Sequence, residues 1–162
     1  MALIIETGAG VAGADSFATV AEFATYAANY GRTVTDDTTE VEALLRRAAL
    51  QMDYIQWKGC GVTRDQSLSW PRYGVLVNRW ELPSTEIPAK VKLGQMALAA
   101  ELYEDDSAPA ELTQGPIVRE KVGPLETEYG AAPSSLTKPV AARQSYAFFA
   151  AYVEPSMVMV RA

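Results

Sequence analysis

The stretch that most constrains the fold of this chain is an unbroken run of helical periodicity between residues 41 and 55. Its apolar residues recur at the i, i+3, i+4, i+7 spacing of one helix face: Val41, Leu44, Leu45, Ala48, Ala49, Met52 and Ile55. Thr39 and Glu42 have the Thr-x-x-Glu spacing of a capping box, which predicts a helix start there. The sequence therefore predicts a helix that buries one face against other elements.

Two further segments carry helix signals. Thr19 and Glu22 form a second capping box, and Gly31 predicts the end of the helix that they begin. Pro88 suits a first helical turn, so a third helix is predicted from Ala89 to Glu104. The chain has 162 residues, which fit one ordinary domain. Together these signals predict a mainly α fold, a small helical bundle.

The aromatic residues of the first predicted helix allow two interpretations. Phe23, Tyr26 and Tyr30 recur at helical spacing, which is typical of a buried stripe. The same rings would serve as a platform for stacking nucleic-acid bases if they were exposed. The regular spacing favours the core.

Between the second and third predicted helices the apolar residues follow neither helical nor strand periodicity. The tryptophans Trp57, Trp70 and Trp80 predict a structured loop that aromatic side chains anchor. Pro71 restricts the residue before it toward extended backbone. Arg72 is expected to cap a helix C-terminus or to pair with an aspartate, and a packing role is favoured over a catalytic one. The predicted structural anchors are Trp57, Trp70, Pro71 and Arg72.

Residues 116–129 predict a β-hairpin around Gly123-Pro124. Its cross-strand pairs comprise two of opposite charge and two apolar ones: Lys121–Glu126, Arg119–Glu128, Val122–Leu125 and Val118–Tyr129. An isolated hairpin is only marginally stable in water, so this hairpin is expected to pack against the helices or against a partner. Its candidate partner contacts are Val118, Glu120, Leu125 and Tyr129.

The sequence divides into a core with its hairpin, residues 1–130, and a linker with a C-terminal arm, residues 131–162. Tyr146, Phe149 and Val153 allow a short helix in the arm before Pro155. The arm ends in a run of apolar residues: Met157, Val158, Met159 and Val160. Such a run is an adhesion hazard in water, so these four residues are candidate contacts that dock on the same chain or, with slight preference, on another.

The sequence has few residues of the types that catalysis, metal binding or phosphate binding requires. The sequence has no histidine and one cysteine, Cys60. The glycine-rich GAGVAG of residues 8–13 lacks the full strand and acidic partner of a dinucleotide-binding unit, so a turn is favoured over a phosphate site. Glu126 and Glu128 face basic residues in the predicted hairpin, which does not suit the general acid of a glycosidase. The sequence predicts no enzyme, no metal and no cofactor.

The charge balance is acidic. The chain has 14 Lys and Arg against 20 Asp and Glu, a formal net charge of -6, and its longest basic run is Arg46-Arg47. Binding of nucleic acid by phosphate neutralisation requires a local basic excess, which this pattern lacks. No stretch is long and apolar enough to cross a bilayer, so a soluble intracellular protein without a membrane partner is expected.

Several motifs resemble those of one family of phage proteins, over roughly residues 1–130. The shared residues are Gly8, Gly10, Val11, Gly13, Ala14, Asp15, Ser16, Val20 and Glu22 near the start, then Leu45-Arg46-Arg47-Ala48, Trp57, Gly59, Gln66, Leu68, Trp70, Pro71, Arg72 and Gly74, and finally Ile87-Pro88, Val91-Lys92 and Arg119-Glu120-Lys121-Val122-Gly123. The WPR segment and the REKVG segment are distinctive together. The chain thus resembles a family labelled DnaT-like, which is placed here with the head-to-tail adaptors (head completion proteins) of tailed phages.

The resemblance implies a helical bundle with one hairpin and extended terminal arms. It implies a homo-oligomeric ring of about twelve copies that connects the portal protein to a downstream tail protein. The protein would lie at the neck of the virion, after assembly in the host cytoplasm. Genomic DNA would pass through without specific binding, which a negative charge suits. This adaptor function is the one that the sequence favours.

Two other function classes stay open. The family label itself suggests a single-stranded-DNA-binding protein, against which the scattered basic residues argue. A cell-wall hydrolase is a third and weaker alternative, because the sequence shows no recognisable pair of catalytic carboxylates.

Overall fold

The computed structural model describes residues 2–107, 117–121, 126–129 and 143–154, and in these ranges the fold is mainly α, as predicted. The helices are α1 (Val20–Tyr30), α2 (Thr38–Met52), α3 (Ala89–Ser107) and α4 (Gln144–Phe149). The strands are β1 (Cys60–Gly61), β2 (Arg72–Tyr73), β3 (Leu76–Val77), β4 (Trp80–Glu81), β5 (Ile117–Lys121) and β6 (Glu126–Tyr129). They pair antiparallel as β1–β2, β3–β4 and β5–β6.

The start of α1 follows the predicted capping box. The Thr19 hydroxyl accepts a hydrogen bond from the Glu22 backbone N–H at 3.2 Å, and the Thr19 N–H donates to the Glu22 carboxylate at 2.7 Å. Gly31 ends the helix with a φ of 61°. This left-handed conformation is one that glycine adopts without steric cost. Both predicted ends of α1 are confirmed.

The start of α2 differs from the prediction. The helix begins at Thr38, and the carboxylate of Asp37 caps it by accepting a hydrogen bond from the Thr39 N–H at 2.9 Å. The predicted capping box of Thr39 and Glu42 is therefore wrong, because Asp37 fills the cap position two residues earlier. The predicted apolar face is confirmed, since all its members from Val41 to Met52 are buried.

The helix α3 forms the centre of the core, and Gln95 ties it to two other segments. The Gln95 side chain is fully buried, and its carbonyl oxygen accepts a hydrogen bond from the Phe17 N–H at 2.9 Å. Its amide group donates to the Ser16 hydroxyl and to the Leu45 carbonyl oxygen, each at 3.0 Å. A buried amide must be paired in this way, so Gln95 holds the N-terminal segment, α2 and α3 in one arrangement.

Residues 143–154, which the sequence assigns to the C-terminal arm, pack on this core. The buried carboxylate of Glu101 accepts hydrogen bonds from the Ser145 backbone N–H at 2.9 Å and from the Ser145 hydroxyl at 2.7 Å. Val153 forms an antiparallel bridge with Trp57, and the Glu154 N–H donates to the Gln56 carbonyl oxygen at 2.9 Å. The described chain therefore ends alongside the segment that follows α2.

The β5–β6 hairpin exists, with one change of register. The pairs Lys121–Glu126 and Arg119–Glu128 are confirmed. The pair Val118–Tyr129 is wrong, because an irregularity between Ile117 and Arg119 places Ile117 opposite Tyr129. Among the predicted partner contacts, Val118, Glu120 and Tyr129 are described by their backbone, whereas Leu125 and Met157 to Val160 lie outside the described residues.

Candidate nucleic-acid interface

The segment between α2 and α3 is organised around Trp70 and Pro71. The Trp70 side chain is fully buried, and the Trp70–Pro71 peptide bond is cis. The Trp70 ring meets the rings of Trp57 and Tyr152 edge to face, with centroid distances of 5.8 and 5.9 Å. Edge-to-face packing of this kind adds to the stabilisation from burial. This aromatic packing fixes the path of the backbone before and after Trp70.

Arg72 binds backbone carbonyl groups instead of capping a helix or pairing with an aspartate. Its guanidinium group donates to the carbonyl oxygens of Lys58 at 2.9 Å, Gly59 at 2.6 Å and Ser69 at 3.2 Å, and more weakly to that of Trp57 at 3.5 Å. Burial lowers the pKa of Arg72 from its ordinary value. Arg72 thus holds the turn after α2 against the WPR segment.

The glycine-rich turn at residues 8–13 already contains an anion from its own chain. The buried carboxylate of Glu6 accepts hydrogen bonds from the backbone N–H groups of Gly8 at 2.8 Å, Gly10 at 3.0 Å and Val11 at 2.7 Å. Successive N–H groups of this kind form the anion-binding concavity that phosphate loops use. Because Glu6 occupies these donors, the turn has no place for a phosphate group.

The β3–β4 hairpin presents Trp80 to solvent. Its side chain is 78% exposed, so the prediction that Trp80 anchors the loop is wrong. The two residues before it, Asn78 and Arg79, have φ values of 52° and 71°, as a type I′ turn requires. Glycine is preferred at such positions, and a residue with a side chain costs roughly 1 kcal/mol there. The turn nevertheless places an arginine beside the exposed tryptophan.

Two more exposed side chains lie in or next to this hairpin, and we call the exposed residues Tyr73, Leu76, Arg79 and Trp80 the hairpin surface. Leu76 pairs with Glu81, so its side chain lies on the opposite face of the strand pair from Trp80. Tyr73 is 53% exposed and Leu76 is 58% exposed. Trp80 lies opposite Val77 in the β3–β4 pair. Antiparallel partners are about 5 Å apart and four residues span at most about 14 Å, so the Cα atoms of Tyr73 and Trp80 lie within about 20 Å.

Five basic side chains in the described ranges form ion pairs with neighbouring carboxylates. The ion pairs are Arg32–Glu104, Arg46–Asp15, Arg47–Asp106, Lys92–Glu22 and Arg143–Asp105. Arg64, Arg79 and Lys90 are exposed and have no ion-pair partner within the part of the chain that the structure describes. The available positive charge is therefore concentrated between residues 64 and 90, in and just after the loop that carries the hairpin surface.

The aromatic face of α1 does not form a comparable surface. Phe23 and Tyr26 are buried, as the core interpretation predicts. Tyr30 is 43% exposed, but its ring stacks on the ring of Tyr26 at a centroid distance of 4.5 Å. One face of Tyr30 is thus covered by its own helix. A base would find only a partial platform there.

Metal sites and membrane-spanning helices were also considered for the described residues. Within residues 2–107 and the three shorter described ranges, no group of three or more Cys, Asp or Glu side chains is placed to hold a metal ion. None of the described helices is long and apolar enough to span a membrane.

An exposed tryptophan beside an unpaired arginine is the combination with which proteins bind single-stranded nucleic acid by stacking. The model of a family described as "Putative DnaT-like ssDNA binding protein" matches residues 1–162. The chain belongs to this family. No curated protein and no solved structure matches it.

The assignment to head-to-tail adaptors is therefore wrong, and with it the ring, the portal and tail partners, and the passage of DNA without binding. The physical reason lies in the motif that carried the resemblance. Trp70 and Pro71 of the WPR segment are fully buried, and Arg72 binds backbone carbonyls. A buried structural motif of this kind is characteristic of a fold, but it carries no information about what the surface of the protein binds. The location in the virion stays a prediction.

Proposed function

We propose that this protein binds single-stranded DNA on the hairpin surface, with a base stacked on Trp80 and a backbone phosphate bound by Arg79. The observation that carries the proposal is the exposure of Trp80 at the start of β4, directly after a strained turn whose second residue, Arg79, has no ion-pair partner among the described residues. Strained residues cluster where function requires them. The family match supports the same ligand.

The acidic body of the protein suits a single strand better than a duplex. In a duplex the base faces are covered by their neighbours, so Trp80 has nothing on which to stack. Stacking on an aromatic side chain contributes about 1–3 kcal/mol per base and needs no particular sequence. A net charge of -6 repels the dense phosphates of a duplex, and the few free basic residues do not offset that repulsion. The proposal contains no catalytic step.

The test is a fluorescence-anisotropy titration of a labelled oligothymidine at low salt. Trp80→Ala is expected to weaken binding by about 5- to 150-fold, which is the loss of one stacked base. Tyr30→Ala is the matched control, because Tyr30 is a 43% exposed aromatic residue on α1, outside the hairpin surface. Equal affinities of the wild-type protein and the Trp80 variant would exclude this surface, and equal affinity for a duplex of the same length would exclude the stacking mechanism.

The tryptophan fluorescence gives an independent measurement. Trp57 and Trp70 are buried, whereas Trp80 is exposed, so a stacked base quenches Trp80 selectively. Addition of oligothymidine is expected to quench the wild-type emission and to leave the emission of Trp80→Phe unchanged. Quenching that persists in the Trp80→Phe variant would place the bound base elsewhere.

A further inference from the structure

An apolar groove runs between the end of α2 and α4. It has a volume of about 340 Å³ and is lined by Gln51, Tyr54, Ile55, Leu98, Tyr146 and Phe149. The charged side chain that also borders it, Arg143, pairs with Asp105 at 3.1 Å. Tyr54 beside it is 81% exposed, so no described residue covers this edge of the groove.

The direction of the chain at the end of the described residues leads to this groove. The Lys58 N–H donates to the Tyr152 carbonyl oxygen at 2.8 Å, Val153 faces Trp57, and the Glu154 N–H donates to the Gln56 carbonyl oxygen. The two segments are antiparallel, and at Glu154 the chain runs toward the side on which Ile55 lines the groove. The backbone at Glu154 is therefore directed toward the mouth of the groove.

A second depression of about 600 Å³ also borders Ile55, but its chemistry differs. Its lining includes the polar side chains of Asp53, Arg64, Gln66 and Arg72. Residues 157–160 are Met-Val-Met-Val, and burial of such side chains is favourable only against apolar surface. The composition of the segment thus selects the groove between α2 and α4.

We infer that Met157 to Val160 dock in the groove between α2 and α4 of their own chain. The segment needs only a few residues to reach it from Glu154, and a short tether raises the local concentration of the segment above that of any other copy. The docked segment covers Tyr54 and Ile55 and continues the contact that Val153 makes with Trp57. In this arrangement the apolar side chains of Met157 to Val160 pack against the core of their own molecule.

Disulfide trapping in the full-length chain tests this placement. In a Cys60→Ser background, Tyr54→Cys combined with Val158→Cys is expected to form an intramolecular disulfide at least about tenfold faster than a control pair, because docking raises the effective concentration of the thiols. The control pair is Leu76→Cys with Val158→Cys, since Leu76 is exposed on the β3–β4 hairpin, which is not part of the groove. Non-reducing gels and intact mass distinguish monomers from dimers. Equal rates for the two pairs, or dimers whose yield rises with protein concentration, would overturn the inference, and dimers would identify a second copy as the occupant.

A single-cysteine measurement keeps the test valid if a double variant does not fold. The Tyr54→Cys thiol, again with Cys60→Ser, is expected to react with a maleimide several-fold more slowly than in a chain that also carries Met157→Ser, Val158→Ser, Met159→Ser and Val160→Ser, because the docked segment shields it. The same four serines should leave the reactivity of Leu76→Cys unchanged. Identical rates at position 54 with and without the serines would contradict docking.

Discussion

The ring of Phe149 occupies the space next to Gly94: a Cβ atom on Gly94 would lie 2.1 Å from the Phe149 Cε1 atom. Gly94 lies inside α3, where glycine is less favourable than alanine by about 1 kcal/mol. Both residues are buried, so a methyl group on Gly94 would require the ring or the helix to shift. The glycine permits α4 to approach α3, and this approach makes residues 143–154 part of the core.

Gly94→Ala is expected to destabilise the protein although alanine is the better helix former. Overpacking of a buried site costs about 1–3 kcal/mol, against about 1 kcal/mol gained in helix propensity, so a net loss of up to about 2 kcal/mol is expected. Urea unfolding measures it. The double variant Gly94→Ala with Phe149→Leu is the control, and it should lose less than the sum of the two single variants because the smaller side chain admits the new methyl group. Strict additivity would show that the two residues do not compete for this space.

Arg72→Met is expected to lower the free energy of unfolding by about 2–3 kcal/mol. The substitution removes charge-assisted hydrogen bonds and leaves the carbonyl groups of Lys58 and Gly59 without a donor. Arg64→Met is the matched control, and it should change the stability by less than about 0.5 kcal/mol, because Arg64 is exposed and unpaired in the described ranges. Similar effects of both substitutions in chemical denaturation would contradict the anchoring role.

Glu6→Gln is expected to loosen the glycine-rich turn. The carboxylate accepts three N–H hydrogen bonds through both of its oxygens, whereas an amide offers one oxygen and directs an NH₂ group at the remaining donor. The loss in stability should be about 1–3 kcal/mol. Amide hydrogen exchange at Gly8, Gly10 and Val11 reports the change locally. Asp15→Asn, at a half-buried position of the same segment, serves as control and should leave the exchange of these three amides unchanged.

Salt should weaken DNA binding only modestly. Arg64, Arg79 and Lys90 are the exposed basic residues without a partner in the described part of the chain, so at most about three phosphates are neutralised there. For single strands the slope of log Kobs against log[salt] is about −0.7 per phosphate, which predicts a slope between about −1 and −2.

Arg79→Gln should reduce the magnitude of that slope by about 0.7, the contribution of one phosphate, and Trp80→Ala should leave it unchanged while it lowers the affinity. Titrations at four or more salt concentrations give both quantities. A slope steeper than about −4 would mean that a basic surface other than the hairpin surface binds the strand.

The helical elements follow from sequence periodicity because each is decided by local spacing. The apolar residues from Val41 to Met52 face the core as their i, i+3, i+4 spacing predicts. Opposite charges likewise predict the pairing of Lys121 with Glu126 and of Arg119 with Glu128. Within the described strands the register fails at Tyr129, since an irregularity between Ile117 and Arg119 leaves no mark in the pattern of residue types.

The roles of individual aromatic and polar residues depend on contacts between distant segments. Trp70 and Trp80 are the same residue type ten positions apart, yet one is fully buried and the other is 78% exposed. The hydrogen bonds of Gln95 to Phe17 and Leu45 also join residues far apart in sequence. The candidate site was missed for this reason. Asn78-Arg79 before Trp80 was the one local signal, because asparagine tolerates a left-handed turn and a short hairpin exposes its tip.

The sequence by itself determined where the helices form, because helix formation depends on neighbours three and four residues away. It also determined the residue types that are available, with no histidine and one cysteine. Only the tertiary structure decided that Glu6 occupies the glycine-rich turn, that Arg72 binds carbonyl groups and that Arg79 and Trp80 face solvent. Burial and pairing result from how separate segments pack, and a linear pattern of residue types does not contain that packing.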